Sequence, residues 1–323
     1  MLLITCALQV ACTSTKEPQF PIESSIQQEL MPLHGLTTPL LVEIRHPYLI
    51  MQNWKQNDSL FHIYDLRTNE LKSAFGQKGQ GPDDYVLPWL IRSQLKDFII
   101  SDNQAFQFFQ ISEDGPPILK TRILPKYNNN INEGAFINDS IFVVDAQYTG
   151  PYLYTFNVDS DVPLKTLKYR NGDIMDVLLD PNMGRVYANE DRIIFSYEYK
   201  KEIDFMDTDF NLLKKVKFDF AKSDDAILGS GDENIAYGVG YCGKRYFYVI
   251  SMGQSWKTYR EKGMKGSVLE VFDMDGDPVA RFPFEGKNPT YFAVDEETFT
   301  LYGTTEDGDP EDCLLVYKLN GLS

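Results

Sequence analysis

Histidine and cysteine, the residues that most often mark metal or nucleophilic chemistry, are scarce here: three and four among 323 residues. His34, His46 and His62 show neither HExxH nor H-x-x-x-H spacing, so a zinc-protease helix is excluded. Cys6, Cys12, Cys242 and Cys313 include no CxxC pair, which removes zinc ribbons and thioredoxin-type redox sites. Positive charge is also short. Lys and Arg number 31 against 47 Asp and Glu, a formal net charge of -16, and this argues against a nucleic-acid partner. No G-x-S-x-G elbow is present, and a Ser/His/Asp triad drawn from distant segments would leave no local signature. No catalytic residue, bound metal or cofactor is expected from these patterns. Beyond residue 20, sustained 3.6-residue periodicity is missing as well, so long amphipathic helices are not expected.

What the chain has is aromatic and apolar material: 43% hydrophobic, 13% aromatic, with 19 Tyr and 21 Phe. Such side chains suit pleated, half-buried surfaces. They are organised by a short recurring pattern of an apolar pair, an Asp or Asn, a turn-forming run and a second apolar stretch. It reads Ile63-Tyr64-Asp65 into Leu71, Phe109-Gln110-Ile111 into Ile118, and Phe156-Asn157 into Leu164. It continues with Phe205-Met206-Asp207 into Leu212 and Val271-Phe272-Asp273 into Val279, and Val316-Tyr317-Lys318 is a truncated copy. Tyr64, Phe109, Phe156, Met206, Phe272 and Tyr317 are about 45 to 50 residues apart, with one gap of about 66, which is blade-length spacing. The fold expected is all-β: a six-bladed β-propeller of four-stranded antiparallel blades. Five blades can be supplied with four strands each. The sixth offers YFAVD, FTLYGTT and CLLVYKL and is one strand short. SIQQELMPL (residues 25–33) either closes that blade as an N-terminal strand or forms a short helix on a tether.

The first nineteen residues read as an address, and residues 20–323 as the propeller domain. The apolar run MLLITCALQVA is too short to span a bilayer, which takes about 20 residues. A small residue, Cys12 and the polar stretch TSTKEPQ follow. Val10-Ala11-Cys12 is similar to a bacterial lipobox, with Cys12 as the lipidated N-terminus, although Gln9 stands where an aliphatic residue is usual and no basic residue precedes the run. A plain secretory signal and a cytosolic N-terminal strand are the alternatives.

The segment Phe75-Gly76-Gln77-Lys78-Gly79-Gln80-Gly81-Pro82-Asp83-Asp84-Tyr85 looks like the G-x-G-P-acidic-aromatic crossing between the first two blades of the TolB-like six-bladed β-propeller lipoproteins of bacterial envelopes. Those proteins more often carry Gly-Glu-Phe after the proline. The resemblance spans roughly residues 20–323 and implies architecture and an envelope location, at the outer membrane or its periplasmic face. It implies no activity, because most members have none established. The loop itself is not a phosphate cradle, since its order is G-x-x-G-x-G and Pro82 stands where a dinucleotide fold would open a helix.

Acidic clusters invite a calcium reading. In Asp273-Met274-Asp275-Gly276-Asp277 the twelfth position from Asp273 is Phe284, not the Glu of an EF-hand, and Asp-Gly is hairpin-turn chemistry. Glu306, Asp307, Asp309, Glu311 and Asp312 remain open as a hard-cation loop. The local exception to the acidic chain is Met252–Gly266, a long positive and aromatic loop that accounts for the wide repeat gap. Trp256 and Tyr259 offer stacking area, Arg260 and Lys262 pair with anions, and Trp54 projects to the same face. These five are the candidate ligand-binding residues, for a glycan, a peptide or an envelope protein partner. The expected protein is a monomeric, lipid-anchored, non-catalytic binding or scaffold module. The alternative is a metal-dependent hydrolase or lyase working at the channel mouth.

Overall fold

The computed structural model describes residues 18–34, 38–53, 59–102, 105–113, 115–126, 134–145, 152–170, 180–220, 233–263, 266–305, 309–310 and 312–323. Six antiparallel four-stranded sheets form a propeller, with blades one to five spanning 39–75, 89–123, 134–168, 184–217 and 234–285. The sixth uses Tyr291–Asp295, Thr300–Thr304 and Cys313–Lys318, and Glu29–Pro32 pairs antiparallel with Cys313–Lys318 as its fourth strand. The expected clasp is therefore present, as a strand and not a helix. Before it, Ile22–Glu23 and Ile26–Gln27 run parallel to the outer strand of blade five, Pro278–Glu285. One N-terminal segment thus covers the edge of one blade and completes the next, leaving neither edge open to mispairing.

The repeat has a physical cause. Its apolar residues end the third strand of each blade and are buried: Tyr64, Phe156, Phe272 and Tyr317 are at 0% exposure. The pairing of third to fourth strand slips by a residue between Ile63 and Tyr64, Phe108 and Phe109, Phe205 and Met206, and Val271 and Phe272. Such β-bulges bend a strand and raise its twist. The acidic or amide residue that follows closes the turn with its side chain. Asp207 Oδ1 accepts the N–H groups of Asp209 and Asn211, Asp273 Oδ1 accepts those of Asp275 and Asp277, and Asn157 Oδ1 accepts that of Asp159. Asp273–Asp277 is therefore a hairpin turn, as its Asp-Gly chemistry suggests; Gly276 takes φ +79. Its flanking acids meet Arg192 and Lys214 of blade four.

Burial is deepest in the middle strands and falls towards the outer ones. Middle strands such as Ile193–Tyr197 and Thr300–Thr304 are buried along their whole length, because neighbouring blades cover both faces. Outer strands such as Ile118–Ile123 and Lys165–Lys168 are largely exposed and carry Lys or Arg, which discourages edge-to-edge pairing. The crossing loop 76–85 is held by its own groups. Asp84 Oδ2 accepts the Gly81 N–H at 2.8 Å, and a Cβ on Gly79 would lie 2.1 Å from that oxygen, so a side chain at 79 would displace Asp84 from this bond. Tyr85 then packs edge-on against Phe61 at 5.5 Å.

Candidate functional site

The first strand of each blade lines the central channel, and each begins on the face that carries the crossings between blades. A cavity of about 350 Å³ opens in this channel and is lined from all six first strands. Its wall is uneven. Trp89, Tyr291 and Leu41 stand on blades two, six and one, whereas Gly134 and Gly184 begin the first strands of blades three and four.

The glycines are there for a packing reason that recurs in three blades. Gly134 pairs with Val144, Gly184 with Tyr197 and Gly240 with Val249, and two residues before each partner stands a phenylalanine: Phe142, Phe195 and Phe247. A Cβ on Gly184 would lie 2.3 Å from the Ser196 carbonyl oxygen and 2.6 Å from the Phe195 ring. Gly134 is held as tightly, at 2.2 Å from the Val143 carbonyl oxygen and 2.5 Å from the Phe142 ring. In each blade the ring and a carbonyl of the second strand fill the space a side chain would take, so these first-strand positions are kept as glycine.

Towards the opposite, hairpin face the channel is bridged by side chains. Arg92 of blade two crosses to the carbonyl oxygens of Gly240 on blade five and Phe292 on blade six. Gln94 donates to the Cys242 carbonyl oxygen at 2.6 Å and to the Tyr241 hydroxyl at 3.4 Å. Tyr241 in turn donates to Glu43 Oε1 on blade one at 3.2 Å. Arg45 ties Glu43 at 2.9 Å to Ser93 Oγ at 2.8 Å. Burial raises the Glu43 carboxyl above its ordinary value, against the pull of Arg45 and Arg92. These bonds join blades one, two, five and six and floor the cavity.

The mouth is built differently. Arg185 follows Gly184, is exposed and lines the cavity. Its charge acts on Glu198, a buried carboxylate at the crossing-face end of the second strand of blade four. Desolvation raises the Glu198 pKa, and Arg185 opposes that rise. Asp145 lines the same cavity from blade three and accepts the hydroxyl of Tyr169.

The fifth-blade insertion reaches blade four at Glu198 and Tyr199, but not as an irregular loop. Ser255 Oγ caps a helix, Trp256–Lys262, by accepting the Thr258 N–H, and Gly263 at φ +69 ends it. The Trp256 indole N–H donates to Glu198 Oε1 at 3.2 Å and to the Tyr199 hydroxyl at 3.0 Å. Trp256 and Tyr259 contact each other edge-to-face at 5.6 Å and pack on the core shared by blades five, six and one. Arg260 and Lys262 are exposed in the last turn, where positive charge suits the helix dipole. The structure therefore brings Trp256, Tyr259, Arg260 and Lys262 onto one short helix beside the mouth, with the Trp256 indole already engaged. Trp54 and Cys12 lie outside the described residues, as does most of the 306–312 acidic cluster. Tyr197 and Tyr199 are buried; Tyr197 donates to Asp204 at 2.9 Å.

Two of the three histidines are held in the fold. His46 meets the buried Asp295 at 3.0 Å, and His62 is buried in a middle strand, where desolvation lowers its pKa. Among the described residues no three His, Cys, Asp or Glu side chains gather as a metal site would require. Sequence reasoning missed Trp89, Arg92, Arg185 and Tyr291. The signal lay in the position of each within its blade, at or near the first strand, and not in any local motif.

No protein-family description and no curated protein matches the sequence. Solved structures do. The chain is similar to a protein of Bacteroides fragilis described as exported, at 10% identity and TM-score 0.56, over 92% of this chain and 98% of that one. It is also similar to a member of the DUF4221 family from Bacteroides vulgatus, at 13% identity and TM-score 0.56, over 91% and 96%. Raptor of Chaetomium thermophilum matches at 10% identity and TM-score 0.50, over 93% of this chain but 29% of its own length. At these identities the likeness is one of fold.

Proposed function

We propose that this protein is an exported, lipid-anchored envelope propeller that binds a small ligand, without catalysis, at the crossing-face mouth of its channel. The observation that carries the reading is the cavity itself: about 350 Å³, reached by all six blades and floored by Arg92 and Gln94. A concave site with an apolar wall and a few placed polar groups is the usual form of a ligand pocket. The location is supported by the Val10-Ala11-Cys12 lipobox, by the polar stretch after it, and by the full-length similarity to a Bacteroides protein described as exported. The TolB-like resemblance of the 75–85 crossing points to the same compartment. Beside the channel, the helix Trp256–Lys262 offers Arg260 and Lys262 as a secondary contact for a larger glycan, peptide or protein ligand.

Two measurements on one set of variants test this. Cys12→Ala moves the protein from the membrane fraction to the soluble fraction; an unchanged distribution removes the anchor. Val239→Trp narrows the cavity, where Val239 is half-buried and lines the wall. Small acids, oligosaccharides and peptides that raise the melting temperature of the wild type fail to raise that of Val239→Trp. Equal shifts in both proteins place binding elsewhere.

A further inference from the structure

The cavity has a direction, and its direction defines a ligand class. On one side Trp89 and Tyr291 present half-buried rings with Leu41 between them on the ring of blades. On the other, Gly134 and Gly184 offer no side chain, and Arg185 extends from the position next to Gly184. An apolar plate laid against Trp89 and Tyr291 gains area without crowding the glycine wall. A guanidinium at the other edge recognises a carboxylate through paired N–H donors.

The surrounding charges narrow the anion. Arg185 shares its field with Glu198, and Asp145 lines the same cavity. Arg92 lies at the floor, where its contacts are the carbonyl oxygens of Gly240 and Phe292. A dianion would bring a second negative charge beside Asp145 in the same cavity, whereas a monoanion exchanges one charge with Arg185. The floor excludes long ligands from passing through the axis, since Gln94 and Arg92 close it. At about 350 Å³ the space is near the small end of the ~300–1,000 Å³ range of ligand pockets.

We propose that the channel mouth is a site for a small, flat, apolar monocarboxylate, its ring on Trp89 and Tyr291 and its carboxylate on Arg185. This rests on the reading of the channel as the binding site. It goes beyond that reading by assigning the chemistry of the ligand and the residue that selects it.

The test is calorimetric titration of the full-length protein with naphthalene-2-carboxylate, naphthalene-2-carboxamide and 2-naphthyl phosphate. A hydrogen bond to a charged partner is worth enough that the carboxylate binds roughly tenfold or more tighter than the amide. The phosphate, a dianion near neutral pH, binds more weakly than the carboxylate. Arg185→Met brings the carboxylate to the affinity of the amide and leaves the amide unchanged; Arg185→Lys recovers part of the preference, because it keeps the charge but loses the planar fork. Lys120→Met, on the exposed outer strand of blade two, changes none of the three. Melting temperatures confirm that each variant is folded. Equal affinity for acid and amide in the wild type, or a preference that survives Arg185→Met, overturns the assignment. So does failure of all three compounds to bind. In that case an oligosaccharide or peptide that still loses its effect in Val239→Trp leaves the channel reading standing and removes only the ligand class.

Discussion

The floor and the mouth of the channel are made of similar residues put to opposite uses. At the floor, Arg45, Glu43, Tyr241, Gln94 and Arg92 bond to one another and to backbone carbonyls of other blades. At the mouth, Arg185 is exposed beside a cavity bordered by half-buried rings. A polar group held in a buried network stabilises a fold and specifies how its parts align, whereas one held at the edge of a cavity keeps donors within reach of a ligand. On the proposed reading, the two arginine-bearing ends of one channel separate stability from recognition, and substitutions should separate them too.

The largest effect belongs to the floor. Glu43→Ala leaves Arg45 without its carboxylate in a buried setting, and removing one partner of such a pair costs about 3–5 kcal/mol. Urea unfolding should show that loss, while Arg185→Ala, an exposed position, stays within about 0.5 kcal/mol of wild type. Equal losses would erase the distinction between floor and mouth.

A smaller effect tests the wall beside the mouth. Gly184→Ala puts a methyl 2.3 Å from the Ser196 carbonyl oxygen, which is backbone and cannot swing away. Overpacking of this kind costs about 1–3 kcal/mol. Two adjacent positions, 184 and 185, should thus differ by more than the error of a denaturation curve. If Gly184→Ala is neutral, glycine at this wall is not a packing requirement.

The smallest effect is a pH dependence. Burial raises the pKa of Glu198 in the folded protein, so between its unfolded value and its folded value the native state holds more protons than the unfolded chain. Stability should therefore fall as pH rises through that window, starting near the ordinary carboxylate range. Glu198→Gln keeps an oxygen for the Trp256 indole and abolishes this part of the slope; in what is left, Glu43 acts in the same direction and His62, whose pKa burial lowers, acts in the opposite one. Urea midpoints measured across that pH range in both proteins decide the matter, and parallel slopes would show that Glu198 is not the group responsible.

Much of the fold was legible in the chain. Tyr64, Phe156, Met206 and Phe272 end the third strands as the repeat requires, and the Asp or Asn after each is the turn closure that makes the repeat visible. The short sixth blade predicted the clasp of Glu29–Pro32, because an open edge is costly. The helix Trp256–Lys262 was not legible, since seven residues hold too few turns for a periodic pattern and its stability comes from Ser255 and from packing. The channel was less legible still. Trp89, Gly134, Gly184 and Tyr291 come from separate blades, share no identity and meet only once the ring has closed.

The central claim is that recognition occurs at the channel mouth and not on the helix beside it. Amide hydrogen exchange, with and without saturating naphthalene-2-carboxylate, tests it most directly. The account predicts new protection in the first strands Trp89–Ile91 and Gly184–Ala188, with the helix Trp256–Lys262 unchanged. Protection confined to that helix, with both first strands unaffected, would contradict it.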